Sequence, residues 1–180
     1  MAKQFTPLFK DTGFEIPEEG VHVCVNEEFK FHVDDKDKNK KAIKITSKVS
    51  GGTDDGLYCN WHFTITGMGY EKLEERNYRK ALAWIQASGI DKGGADKVYN
   101  DDFFEKNVQR IAGKTKGTIY GVDVKHRPSK TSDAVFLEAV EFMTAKEANE
   151  RLKVSGGTVG STDNSDVDAE VTGPQDDWDS

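Results

Sequence analysis

Residues 57–65, LYCNWHFTI, alternate without a break: Leu57, Cys59, Trp61, Phe63 and Ile65 share one face, and Tyr58, Asn60, His62 and Thr64 share the other. A period of two sustained over nine residues belongs to a strand with one buried and one wet side. Upstream, AIKITSKV (42–49) repeats the pattern, with Ile43, Ile45 and Val49 inward and Lys44, Thr46 and Lys48 outward. The GGTDDG run between these segments is a strong turn signal. Earlier still, in GVHVCVNEEFKFHV (20–33), Val21, Val23 and Val25 share one parity, as do Phe29, Phe31 and Val33, and we place a bulge near Asn26–Glu28. The charged DDKDKNKK separates this segment from the next as a hairpin loop would. Three consecutive amphipathic strands predict an antiparallel meander.

Downstream the period changes. In YEKLEERNYRKALAWIQASG (70–89), Leu73, Tyr78, Leu82 and Ile85 fall near a helical stripe, and Gly89 stands where a C-terminal cap is expected. IDKGGADKVYN reads as a loop. NDDFFEKNVQRIAG (100–113) reads as one shorter helix, with Asn100 or Asp101 at its N-cap and Gly113 at its stop. Strand character returns in KGTIYGVDVKHR and DAVFLEAVEFM, separated by the turn-rich PSKTSD. TAKEANERLK closes the body as a helix with Thr144 and Glu147 at capping-box spacing.

The order of elements predicts an α+β protein, mainly β with helices. The expected architecture is a five-stranded barrel of the oligonucleotide-binding type, with a helix between strands 3 and 4. An SH3-like barrel or an open α+β sheet would share the pattern. We divide the chain into an irregular N-terminal arm (1–19), whose Phe5, Phe9 and Phe14 would pack on the body, a domain over 20–154, and a linker with an acidic tail (155–180). The tail is rich in Gly, Ser, Thr and Asp and is expected to be disordered.

Charge is unevenly divided. Of the 32 acidic residues the tail holds seven, and of the 25 lysines and arginines it holds none, so residues 1–154 carry 25 of each sign. The net charge of −7 therefore belongs to the tail. It does not exclude a polyanion as partner of the neutral body. No window approaches the ~20 apolar residues of a membrane span, and the N-terminus lacks the apolar core of a secretion signal, so a cytoplasmic protein is expected. Cys24 and Cys59 lie far apart in strand-like runs and read as buried structural thiols.

Catalytic constellations are not assembled by these spacings. The AGKT of residues 112–115 resembles the end of a phosphate-binding loop, but Val108 occupies the position of the required first glycine and the segment enters a strand. His22, His32, His62 and His126 form no pair at metal-ligand spacing. Asp101, Asp102 and Glu105 would be the acids of a magnesium-dependent nuclease, but their place in the first turn of a helix is explained by the helix dipole. We expect no enzyme, no metal and no cofactor.

Binding chemistry is better represented. The outward face of strands 2 and 3 would set Lys44 and Lys48 beside Tyr58, Asn60 and His62, and KHRPSK would add Lys125, Arg127 and Lys130. Lysines that track phosphates, interleaved with rings on which bases stack for ~1–3 kcal/mol each, are what sequence-blind binding of single strands requires. Outward strand residues are polar in any case, and lysine-rich loops also protect sheet edges. Trp61 has inward parity and is expected in the core. In the tail, Trp178 stands among Asp176, Asp177 and Asp179. An acidic segment tethered to a basic groove competes with nucleic acid at an effective concentration of ~mM. Once displaced, its tryptophan is free to seat in a basic-rimmed pocket of another protein.

The stretches EEGVHVCVNEEFKF, AIKITSKVSGG, GLYCNWHFTITG, WIQASGI and FFEKNVQRIAGKTKGTIYGVDV, followed by the acidic tail, resemble phage-encoded single-stranded DNA-binding proteins. The resemblance covers about residues 14 to 143 by order of elements, and the tail by composition. It implies an oligonucleotide-binding barrel acting in phage replication or recombination within the host cytoplasm, and a tail that recruits replication or recombination proteins. Tails of that family finish on an aromatic at or beside the terminus, whereas this one ends Trp178-Asp179-Ser180. The alternative is a non-catalytic protein–protein adaptor, and the edge strands leave a homodimer open.

Overall fold

In the computed structural model, residues 15–93 and 97–156 are described. The phenylalanines of the arm (Phe5, Phe9, Phe14) and the acidic tail with Asp176, Asp177, Trp178 and Asp179 lie outside the described residues. Five strands form one antiparallel sheet: β1 (Gly20–Val33), β2 (Lys41–Val49), β3 (Tyr58–Thr66), β4 (Ile119–Pro128) and β5 (Val135–Met143). Their spatial order is β3-β2-β1-β4-β5. Four helices accompany it: α1 (Glu71–Ala87), α2 (Phe103–Lys106), α3 (Val108–Thr115) and α4 (Ala145–Val154). The α+β class, the five strands and the long helix between β3 and β4 are as expected. The sheet is not closed: β3 and β5 are its edges, and no ladder joins them.

The bulge falls where the sequence places it, between Asn26 and Glu28, but it does more than bend the strand. Before it, Cys24 and Asn26 point to the main core while Val23 packs with Met143 and Ala148 in a second, smaller cluster under α4. After it, Phe29 joins the main core. One extra residue reverses the pleat, so Val23 and Phe29 lie on opposite faces despite their common parity. The first half of β1 is thereby covered on both sides. Gly121 allows this: a Cβ there would stand 2.4 Å from that of Ala148, so α4 lies directly on β4.

The main core is aromatic. Trp84 of α1 stacks on Phe29 with centroids 5.8 Å apart, and Trp61 meets Phe142 edge-on at 5.8 Å. Trp84, Tyr120, Phe104, Ile43 and Ile111 are fully enclosed, each contributing ~1.5–3 kcal/mol of apolar burial. Cys24 and Cys59 are both buried, as expected, and they are neighbours. The Cys59 thiol and burial together push the Cys24 thiol well above its ordinary pKa.

A chain of hydrogen bonds threads this core. Trp61 Nε1 donates to the Tyr120 hydroxyl at 2.7 Å, which donates to Ser47 Oγ at 2.9 Å, which donates to Asn26 Oδ1 at 2.9 Å. Asn26 Oδ1 also accepts from Trp84 Nε1 at 3.1 Å, and its Nδ2 donates to Ser88 Oγ and Thr118 Oγ1 at 3.0 Å each. A buried amide is tolerated because all four of its hydrogen-bonding positions are used.

The helix read over 100–113 is two helices. Asn107, at φ −113° and ψ 17°, leaves helical geometry between the two pieces, and the carbonyl of Phe103 accepts from both its backbone N–H at 3.1 Å and its Nδ2 at 2.8 Å. The expected N-cap side-chain bond at Asn100 or Asp101 is replaced by a backbone turn, Phe103 N–H to Asn100 O at 3.1 Å. Gly113 does not stop the second piece, which runs on to Thr115. Two terminal signals hold. Gly89 has φ 67° just past α1, and Thr144 and Glu147 form a reciprocal capping box on α4. Among the described residues no helix is long and apolar enough to cross a membrane.

Candidate nucleic-acid interface

Registry sets the outer face of β2 and β3. Lys48 lies opposite Tyr58, Thr46 opposite Asn60 and Lys44 opposite His62, so each cation or hydroxyl has a ring or amide as cross-strand neighbour. The hairpin loop 34–40 reaches the end of β3, where Thr66 Oγ1 donates to Asn39 O at 2.6 Å. On the far side of the sheet, β4 and β5 set Arg127 opposite Phe136 and Lys125 opposite Glu138.

Between the two edges lies a groove of about 540 Å³. Trp61, Phe63 and Leu137 contribute apolar lining, Asn60 and His62 line the β3 side, and Phe136 and Glu138 line the β5 side. Helix α1 spans one end. Asn77 Nδ2 donates to Thr64 O on β3 at 2.8 Å, and Lys80 Nζ donates to Ala139 O on β5 at 2.6 Å. Side chains of α1 thus satisfy carbonyls of both edges in place of a β3–β5 ladder. Arg127, Ser129 and Lys130 line the groove from β4 and the loop after it.

The eight sequence-derived residues divide into three groups. Asn60, His62, Arg127 and Lys130 line this one groove, and Lys44 stands beside His62 across the ladder. Lys48 and Tyr58 sit together at the far end of the β2–β3 face, with the ammonium 4.8 Å from the ring centroid. There Glu27 pairs with Lys48 at 2.8 Å, which raises the lysine pKa and partly compensates the charge it would offer a phosphate. Lys125 lies outside the groove lining. By contrast Lys44, Arg127 and Lys130 make no ion pair with the described residues. Three of the sequence-derived cations, Lys44, Arg127 and Lys130, thus stand at or beside the seam without an ion pair among the described residues.

Three lining residues escaped the sequence reading. Arg76 and Lys80 project from α1, and Arg76 makes no ion pair with the described residues, while Lys80 lies 3.4 Å from Glu138. Phe136 is 57% exposed on an edge strand. It shares the parity of Glu138, and that outward aromatic was the available signal.

Burial lowers the His62 pKa below its ordinary value, and Lys44, His32 and Lys40 push it the same way. The unfolded chain therefore holds this proton at a pH where the folded one has lost it. Stability is full above about pH 6.5 and falls as pH drops through the depressed folded pKa. A bound polyanion reverses the local repulsion, so binding takes up a proton. Affinity for an anionic strand is expected to rise about threefold between about pH 7 and pH 5.5, and His62→Gln to flatten that rise. Titrating both proteins with one oligonucleotide across this range checks it; identical profiles would remove His62 from the interface.

Among the described residues no three His, Cys, Asp or Glu side chains gather as metal ligands. Asp102 holds Lys106 at 2.7 Å and Glu105 holds Lys41 at 2.6 Å. Comparison with models of protein families and with curated proteins finds no match to this chain. The fold and the groove define an α+β protein with an open five-stranded antiparallel sheet and a cationic seam.

Proposed function

We propose that this chain is a non-enzymatic, sequence-nonspecific binder of single-stranded DNA acting in phage replication or recombination. The observation that carries the reading is a set of cations that make no ion pair with the described residues, with Arg76, Arg127 and Lys130 lining one groove, Lys44 beside it, and an exposed phenylalanine in the same lining. Cations for phosphates and a ring for bases are the two elements of single-strand recognition. The strand order supports it as well: joining the β3 and β5 edges would close β3-β2-β1-β4-β5 into the oligonucleotide-binding barrel, with α1 across the seam. The acidic tail competes for the groove and, once displaced, recruits partner proteins through Asp176, Asp177, Trp178 and Asp179.

The test is anisotropy of a labelled poly-dT oligonucleotide against the full chain and a 1–156 truncation, over a salt series, with duplex as control. Residue 156 lies past the C-terminal turn of α4. The full chain is expected to bind single strands in preference to duplex, and truncation to tighten binding about tenfold at low salt, with the difference vanishing as salt rises. Absence of binding by both proteins at low salt would sink the reading. A protein–protein adaptor is the second reading, favoured by Val135 and Val140 exposed on the edge strand β5. It would leave DNA unbound and tail removal without effect on a barrel contact.

A further inference from the structure

We infer that the seam groove receives one unpaired nucleobase, stacked on Phe136, while the strand's phosphates stay outside on Arg127, Lys130 and Arg76. This rests on the single-strand reading and adds to it a specific site and orientation. Its volume of about 540 Å³ falls within the ~300–1,000 Å³ typical of small-molecule sites, which suits a nucleotide.

Charge decides which end of the nucleotide enters. Glu138 lies in the groove, already engaged with Lys80 at 3.4 Å. A phosphate driven in there would have to compete with that carboxylate for Lys80, whereas a neutral base would leave the pair intact. The apolar contribution of Trp61, Phe63 and Leu137 suits a ring and not a phosphate anion. Phe136 touches no other ring of the described residues, so its face is available for stacking. The side chains of Asn60 and His62 make no hydrogen bond with the described residues. Their donors and acceptors are free for the edge of a base, and an amide with an imidazole can serve more than one base type. In a duplex the base is paired and stacked, and entering the groove would first cost its extrusion. The notch would therefore select single strands by itself, apart from the charge that holds any nucleic acid.

A base-deletion cycle on the full-length protein tests this. Affinities are measured for a dT oligonucleotide and for one of equal length made of abasic residues, which keeps the phosphates and removes the rings. The wild type is expected to prefer dT about tenfold. Phe136→Ala should lose that preference on dT and leave the abasic affinity unchanged, and Phe136→Tyr should restore it. Arg127→Gln should weaken both ligands alike. Phe136 is exposed, so these variants keep the fold. Equal wild-type binding to the two oligonucleotides, or an equal loss on both for Phe136→Ala, would overturn the notch and leave charge-based binding standing. Binding of neither oligonucleotide would overturn the single-strand reading and the notch with it.

Discussion

Asn26→Ala is expected to cost about 3 kcal/mol of folding stability, more than deleting an ordinary surface amide by an order of magnitude. The side chain makes four hydrogen bonds, to Ser47, Trp84, Ser88 and Thr118, at 2.9–3.1 Å in a core that water does not reach. Alanine would leave the Trp84 indole N–H without its acceptor. It would also strip Ser88 and Thr118 of a donor and break the chain that runs through Ser47 and Tyr120 to Trp61. Each stranded buried group costs ~1–3 kcal/mol, and the losses share one network, so they do not simply add. Those partners lie on β2, α1 and the approach to β4, so the loss should appear as a single cooperative shift. Urea denaturation followed by tryptophan fluorescence measures it. Ser88→Ala removes one bond of the network and should cost about 1 kcal/mol. If Asn26→Ala cost no more than that, the network would not be what holds these elements together.

The second large effect concerns binding. The triple variant Lys44→Gln, Arg127→Gln, Lys130→Gln is expected to lose about a hundredfold in affinity for single-stranded DNA at low salt, and to reduce the salt slope by about 2, at ~0.7 per phosphate contact on single strands. These three cations make no ion pair with the described residues, so a phosphate meets them without first breaking a bond. Lys48 is the control. Glu27 already holds it at 2.8 Å, so Lys48→Gln should change affinity and slope little, although both sites belong to the same outer face by sequence. An equal loss from Lys48→Gln alone would move the interface to the Tyr58 end of the β2–β3 face. Measuring slopes as well as affinities keeps the result specific, because a general loss of fold would not remove a defined number of counterions.

Much of the architecture was legible in the chain. The alternation of β2 and β3 predicted their buried residues, including Trp61. The bulge, the Gly89 stop and the Thr144 capping box all rest on interactions between near neighbours, and such signals survive folding unchanged. The reading fell short at two places. Parity described a half-buried strand, but α4 covers the other side of its first half, so Val23 and Phe29 belong to two clusters. The 100–113 segment reads as one helix by composition, yet the backbone leaves helical geometry at Asn107 and divides it.

The candidate site shows the same division. Residue types of the β2–β3 face and of KHRPSK were visible, but not which cations were free. Lys48 has Glu27 within reach and Lys44 does not, and that follows from how β1 lies against β2. Phe136 and Arg76 are separated by 59 residues in the chain and share a groove only because β5 and α1 meet at the seam. The sequence by itself determined the five strands, the helix after the third, and the concentration of net charge in the last 26 residues, because periodicity and composition are local properties. Only the tertiary structure decided the strand order, the open seam between β3 and β5, and the pairing of one lysine but not another. Those depend on pairings across the chain, where distance in space and not position in sequence sets the energy.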